Sequence, residues 1–182
     1  SLVIGPGIGL ANETTDLVVN LINSIDKPIV LDADGLACFN QINKSLDNLI
    51  ITPHLGEFSK MIKKEKSEVS NNFIQLVTDF MKSFDGVALI KQVPSCIAYN
   101  DILTFNSVGN PGLSTAGSGD VLCGMIASFI AQGISGYNAS KISSFFHGLA
   151  ADNLIRDLGY RGLIASDLPL EIARVIGKYE SR

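Results

Sequence analysis

A run of small residues, Asn110-Pro111-Gly112-Leu113-Ser114-Thr115-Ala116-Gly117-Ser118-Gly119, ends in the carboxylate of Asp120 and passes at once into an apolar, helix-length stretch from Val121 to Ile130. Small residues let a backbone approach a ligand closely, and the first turn of a helix presents N–H groups with no internal partner. Those donors and the helix dipole favour an anion at that point. A carboxylate beside the anion is placed to take a proton from a hydroxyl. The chemistry implied is phosphate handling at a helix start, with Asp120 as a base. A second reading stands beside it: a Gly-rich connection whose Asp caps the next helix.

The preceding chain supplies elements able to position such a site. Leu2-Val3-Ile4 reads as a strand running into Gly5-Pro6-Gly7-Ile8-Gly9, a turn that needs positive φ or close backbone approach. Leu17, Val18, Leu21, Ile22 and Ile25 recur at helical spacing, with Asn12 as the expected N-cap. Pro28 to Leu31, Leu49 to Ile51 and Val87 to Ile90 are short continuous apolar runs, the pattern of strands buried on both faces. They lead into Asp32-Ala33-Asp34-Gly35, Thr52-Pro53-His54-Leu55-Gly56-Glu57-Phe58 and Lys91. Ligands of open α/β sheets collect at the carboxyl ends of strands, so Gly9, Asp32, Asp34 and His54 are expected on one crevice. Blander roles compete: His54 as a hydrogen-bonding surface group, Glu57 as an acid in a helix's first turn. The Gly5, Gly7, Gly9 spacing departs from G-x-G-x-x-G, which argues against a dinucleotide-binding fingerprint.

Farther on, Val69, Phe73, Leu76, Val77, Phe80, Met81 and Phe84 predict one amphipathic core helix ending before Asp85-Gly86. Ser95–Tyr99 and Ile102–Phe105 flank Asn100-Asp101 as a tight antiparallel hairpin at a sheet edge. Helices follow over about 119–132 and 138–156, the second carrying His147-Gly148, whose small neighbours imply close packing and a packed rather than catalytic His147. Ser166-Asp167 starts a last helix that tolerates Pro169 in its first turn. The sum is a single α/β domain over residues 1–182, helices layered around a mainly parallel sheet. Because a strand opens the chain abruptly, the domain is expected to be incomplete at its N-terminus.

Composition narrows the classes. A net charge of −4, from 14 basic and 18 acidic residues, offers no nucleic-acid footprint, and Lys60, Lys63, Lys64 and Lys66 are interleaved with Glu65 and Glu68 as on a solvated helix end. The longest apolar run, Val121 to Ala131, is too short to span a bilayer. Three scattered cysteines, Cys38, Cys96 and Cys123, lack metal-ligand spacing and read as reduced thiols in a cytoplasmic protein.

Taken together and in order, the motifs resemble the ADP- or ATP-dependent NAD(P)H-hydrate dehydratases of the ribokinase-like superfamily. The matching stretches are Val3–Gly9, Val30–Leu36, Thr52–Phe58, Gly109–Gly112, Gly117–Leu122, His147–Ala150 and Gly162–Leu168. The resemblance implies a ribokinase-like three-layer α/β/α fold and a lyase repairing the hydrates of NADH and NADPH. In that chemistry a hydrate hydroxyl is phosphorylated by ADP or ATP and phosphate is then eliminated. Asp120 would be the general base, and the backbone N–H groups of Gly117, Ser118 and Gly119 would steady the phosphoryl group. Gly9, Asp34, His54, Glu57, Asn110 and Asp120 would meet the hydrate; Lys91, Gln92, Val93, Pro94 and Ser95 with Gly119 would meet the nucleotide. Mg²⁺ would neutralise the phosphates, held mainly by them and by water rather than by a protein cage. His54 in Thr-Pro-His is similar to the bacterial branch, which implies ADP as donor. A homo-oligomer, a tetramer by the same resemblance, and an epimerase domain or protein are implied as partners. Gln92 and Pro94 depart from the family's Lys-Gly pattern. That departure keeps two other functions in view: a non-catalytic nucleotide-binding relative, and a ribokinase-like kinase of a small alcohol such as a thiamine precursor.

Overall fold

Parity along the strands decides which side of the sheet each residue serves. In the computed structural model, which describes residues 1–42 and 47–180, β2 (Ile29–Leu31), β3 (Leu49–Ile51) and β4 (Val87–Ile90) are buried throughout. Successive side chains point to opposite faces. Ile29, Leu31, Leu49, Ile51, Ala88 and Ile90 therefore enter one core, and Val30, Ile50, Val87 and Leu89 another. With β1 (Leu2–Ile4), β5 (Cys96–Tyr99) and β6 (Ile102–Phe105) they form one six-stranded sheet in the order β1-β2-β3-β4-β5-β6. The first four strands are parallel, and β5 and β6 run antiparallel as the expected edge hairpin. Asn100, at φ 50°, makes its tight turn.

One face is covered by α1 (Asn12–Ser24), a 3-10 helix (Ala33–Gln41), α2 (Leu55–Met61), α3 (Lys66–Asn71) and α4 (Phe73–Met81). The other carries α5 (Ser118–Ala131) and α6 (Gly136–Gly162), and α7 (Leu168–Glu180) packs on α6. This is the expected three-layer arrangement. Two local expectations differ. Ala11, not Asn12, holds the N-cap position of α1, without a side-chain bond. The stripe from Val69 to Phe84 is two helices, broken at Asn72 (φ −121°, ψ 29°), although Val69, Val77, Met81 and Phe84 still share one core. Burial of the stripe constrains the apolar face, not the continuity of the backbone behind it.

Among the described residues no helix is long and apolar enough to cross a membrane. Cys38, Cys96 and Cys123 are all free and buried. The parallel strands bring Gly5, Asp32, Thr52 and Lys91 to one edge of the sheet, and His54 pairs with Lys91 in a parallel bridge just beyond it.

Candidate active site at the strand ends

Asp32 and Lys91 form the deepest part of this edge. Lys91 Nζ donates to Asp32 Oδ1 at 2.7 Å, with side chains 23% and 2% exposed. The backbone N–H of Lys91 donates to the Pro53 carbonyl at 2.7 Å, so the Thr-Pro-His turn fixes where the lysine leaves the sheet. Cys123, reaching up from α5, donates its S–H to Asp32 Oδ2 at 3.3 Å. Burial, aided by the Asp32 charge, pushes the Cys123 thiol up to about 12, which rules it out as a thiolate nucleophile near neutral pH.

The first turn of α5 lies over this pair. Gly117 adopts a left-handed conformation (φ 84°) as the helix starts. A Cβ on Gly119 would stand 3.3 Å from Lys91 Nζ and 3.4 Å from Asp32 Oδ2, so glycine permits this close approach. The Ser118 N–H already donates to the Thr115 carbonyl at 3.3 Å. The amides of Gly117, Gly119 and Asp120 have no acceptor among the described residues, so of the expected donors Gly117 and Gly119, joined by Asp120, remain able to meet an anion. Asp120 is exposed in this first turn, where the helix dipole favours a carboxylate.

His147 braces the turn from α6. Its Nε2 lies 3.1 Å from the Ser118 carbonyl and 3.3 Å from the Ser118 hydroxyl. A carbonyl only accepts, so Nε2 carries the ring proton. Burial drives His147 down to about 4 against the opposing effect of the Ser118 bond, with the Lys91 charge adding to the fall. It is a neutral, packed donor, in agreement with its expected packed role.

Between these parts lies a cavity of about 280 Å³, whose lining includes Lys91, Gln92, Val93, Ser95, Asn110 and Gly119. Ser118, His147 and His54 also face it, while Pro94, after a cis peptide, lies outside the lining. The expected nucleotide residues are thus gathered, Pro94 excepted. Asn110 caps the 3-10 helix Pro111–Ser114 by accepting from Gly112 N–H at 2.9 Å.

Asp34 and Glu57 face a separate cavity of about 380 Å³ with Leu10, Leu36, Lys60 and Met61. Gly9 N–H donates to Asp34 Oδ2 at 3.0 Å, which ties the glycine turn to this wall. His54 N-caps α2: its Nδ1 accepts from the amides of Gly56 and Glu57 at 3.0 and 3.2 Å, and Glu57 Oε2 accepts from His54 N–H at 2.7 Å. This reciprocal capping box makes the blander readings of both residues real, and it also joins the two cavities, since His54 faces one and Glu57 the other.

Sequence reasoning missed how Asp152 acts. It accepts from Gly109 N–H at 2.9 Å and from Asn110 Nδ2 at 2.8 Å, clamping the start of the loop. Gly148, one turn earlier on α6, lets that loop in, for a Cβ there would meet the Val108 carbonyl at 2.7 Å. The signal was present as Gly148-x-x-x-Asp152, a glycine and an acid stacked on one helix face. The Asp32–Lys91 pair, 59 residues apart, had no local signal.

Comparison with known proteins bears on this geometry. The family model for NAD(P)H-hydrate dehydratase matches residues 1–174. A bifunctional NAD(P)H-hydrate repair enzyme of Moorella thermoacetica is 34% identical over 172 residues, 92% of this chain and 32% of that protein. Its counterpart in Escherichia coli is 31% identical over 176 residues, 96% of this chain and 34% of that protein. The chain spans about a third of the length of the curated relatives it matches. Among solved structures, the ADP/ATP-dependent NAD(P)H-hydrate dehydratase of Bacillus subtilis, co-crystallised with ATP and Mg²⁺, superposes with a TM-score of 0.85 at 26% identity, covering 97% of this chain and 64% of that one. A ribokinase-like superfamily protein of Enterococcus faecalis shares the fold at a TM-score of 0.81 and 23% identity.

Proposed function

The chain belongs to the NAD(P)H-hydrate dehydratase family, and from that premise we propose that it restores NADH or NADPH from their hydrates with ADP as phosphoryl donor. The observation that carries the reading is that Lys91, Gly119 and His54 line one cavity at the start of α5, whose first turn also carries the free amides of Gly119 and Asp120 and the exposed Asp120 carboxylate.

In this reading the 280 Å³ cavity takes the nucleotide. Lys91 and the Gly119 and Asp120 amides hold its terminal phosphoryl group, where fixed donors stabilise the charge that develops during transfer. Asp120 removes the proton of the hydrate hydroxyl as that oxygen bonds to phosphorus and AMP departs. Phosphate then leaves the ring carbon, and loss of a proton from the neighbouring carbon restores the double bond. Gly9, Asp34, Glu57 and His54 orient the hydrate, and Asn110, expected among them, instead holds the loop through Gly112 and Asp152 on the wall of the nucleotide cavity. Mg²⁺, when bound, would supply neutralisation of phosphate charge, held largely by phosphate oxygens and water. Homo-oligomerisation and cooperation with an epimerase belong to the same reading; the bifunctional names of the relatives support a second activity beside this one.

The test combines purified protein, ADP, Mg²⁺ and NADPH hydrate. The expected result is return of the absorbance of the reduced nicotinamide with release of free phosphate. A stable phosphorylated product would mark a kinase instead, and nucleotide binding without turnover would mark a non-catalytic relative.

A further inference from the structure

Asp32 is buried and plays no part in the reaction as written above. It stands at the N-cap position of the 3-10 helix Ala33–Gln41, where an Asp side chain ordinarily accepts from the amides of the next turn, yet it makes no such bond. Both its oxygens are committed elsewhere. Oδ1 accepts from Lys91 Nζ at 2.7 Å and Oδ2 from the Cys123 thiol at 3.3 Å. The Thr52 hydroxyl lies 3.4 Å from the same sulfur and holds it in turn. The carboxylate is therefore fixed on one side and aimed at the ammonium on the other.

That ammonium lies under the first turn of α5, 3.3 Å from where a Cβ on Gly119 would stand, and lines the cavity assigned to the nucleotide. A lysine left to itself there would carry its charge outward to water along a flexible stem, and ordering it again would weaken any anion that used it. We propose that Asp32 is a positioning residue of the nucleotide site, holding the Lys91 ammonium beneath the α5 N-terminus so that the cation and the helix amides meet the same phosphate. The carboxylate offsets part of the lysine's charge, but the ordering it imposes and the counter-ion it gives a largely buried cation outweigh that loss. This inference rests on the nucleotide reading of the cavity.

Calorimetric titration with ADP, in the natural full-length protein, separates the possibilities. Asp32→Asn keeps the shape and removes the charge; it should weaken ADP binding about tenfold, in the range found for members of one ion-pair network, and leave KM for NADPH hydrate within about twofold. In a Lys91→Met background the same substitution should change ADP affinity by less than about twofold, because Asp32 acts through the lysine. Unchanged or tighter ADP binding in Asp32→Asn would overturn the proposal, as would an equal loss in the Lys91→Met background. If Asp32→Asn failed to fold, Lys91→Met against the double variant, which removes both charges, still makes the second comparison. Absence of ADP binding by the unsubstituted protein would remove the nucleotide reading and this inference together, whereas normal binding with an inert Asp32→Asn removes the inference alone.

Discussion

Lys91 and His54 are partners in one β-bridge, yet they belong to two differently built regions. Lys91 is 23% exposed and held by a carboxylate that is itself buried, under a helix braced by His147. His54 is 59% exposed and held by Glu57 and the amides of its own helix, all within three residues. The side proposed for the nucleotide is organised by contacts between residues far apart in the chain; the side proposed for the hydrate is organised by local capping and a glycine turn. Long-range burial makes charges expensive to disturb, whereas local caps contribute modestly and act independently. Substitutions on the two sides should therefore differ in what they damage.

The largest effect falls where the chemistry is proposed. Asp120→Asn should lower turnover of the hydrate by about 10²- to 10⁴-fold, the usual loss when a positioned base is removed. Because the side chain is exposed, the thermal midpoint should hardly move. Next, Lys91→Met leaves Asp32 buried and uncompensated, and urea denaturation should show a loss of about 3–5 kcal/mol, most of it regained on adding Asp32→Asn. The converse case on the side proposed for the hydrate, His54→Ala, should cost only about 1 kcal/mol, as a lost N-cap.

Between these extremes lies His147, which gives the stability of the fold a pH dependence through the brace on the α5 start. Its folded value of about 4 is depressed from 6.5, so the unfolded chain takes up the proton first as the pH falls. The contribution is intact above pH 6.5 and is lost progressively down to about pH 4, amounting to roughly 3 kcal/mol. Urea denaturation at pH 7 and pH 4.5 should show the loss, and His147→Asn should remove that part of the slope.

Much of this molecule was legible beforehand. The apolar runs at Ile29, Leu49 and Val87 declared buried strands, and the small-residue loop before Asp120 declared a helix start suited to an anion. Those features depend on neighbours in the chain, through strand parity, glycine conformation and the four unpaired amides of a helix end. The break at Asn72 escaped because an apolar stripe reports burial and not backbone continuity. Which amides of the loop remain free also escaped, since the Ser118 N–H was taken by Thr115 in a turn that residue types alone do not specify.

What folding alone decided is the company each polar group keeps. Asp32, expected only as one residue of a strand-end crevice, became the counter-ion of Lys91, while His147, within a helix, became the brace of a helix start 29 residues earlier. Residue type and spacing settle local conformation because the interactions that determine it span a few residues. Partnerships among buried charges depend on which strand ends and helix starts arrive at the same place, and that is a property of the sheet order and the layers packed on it.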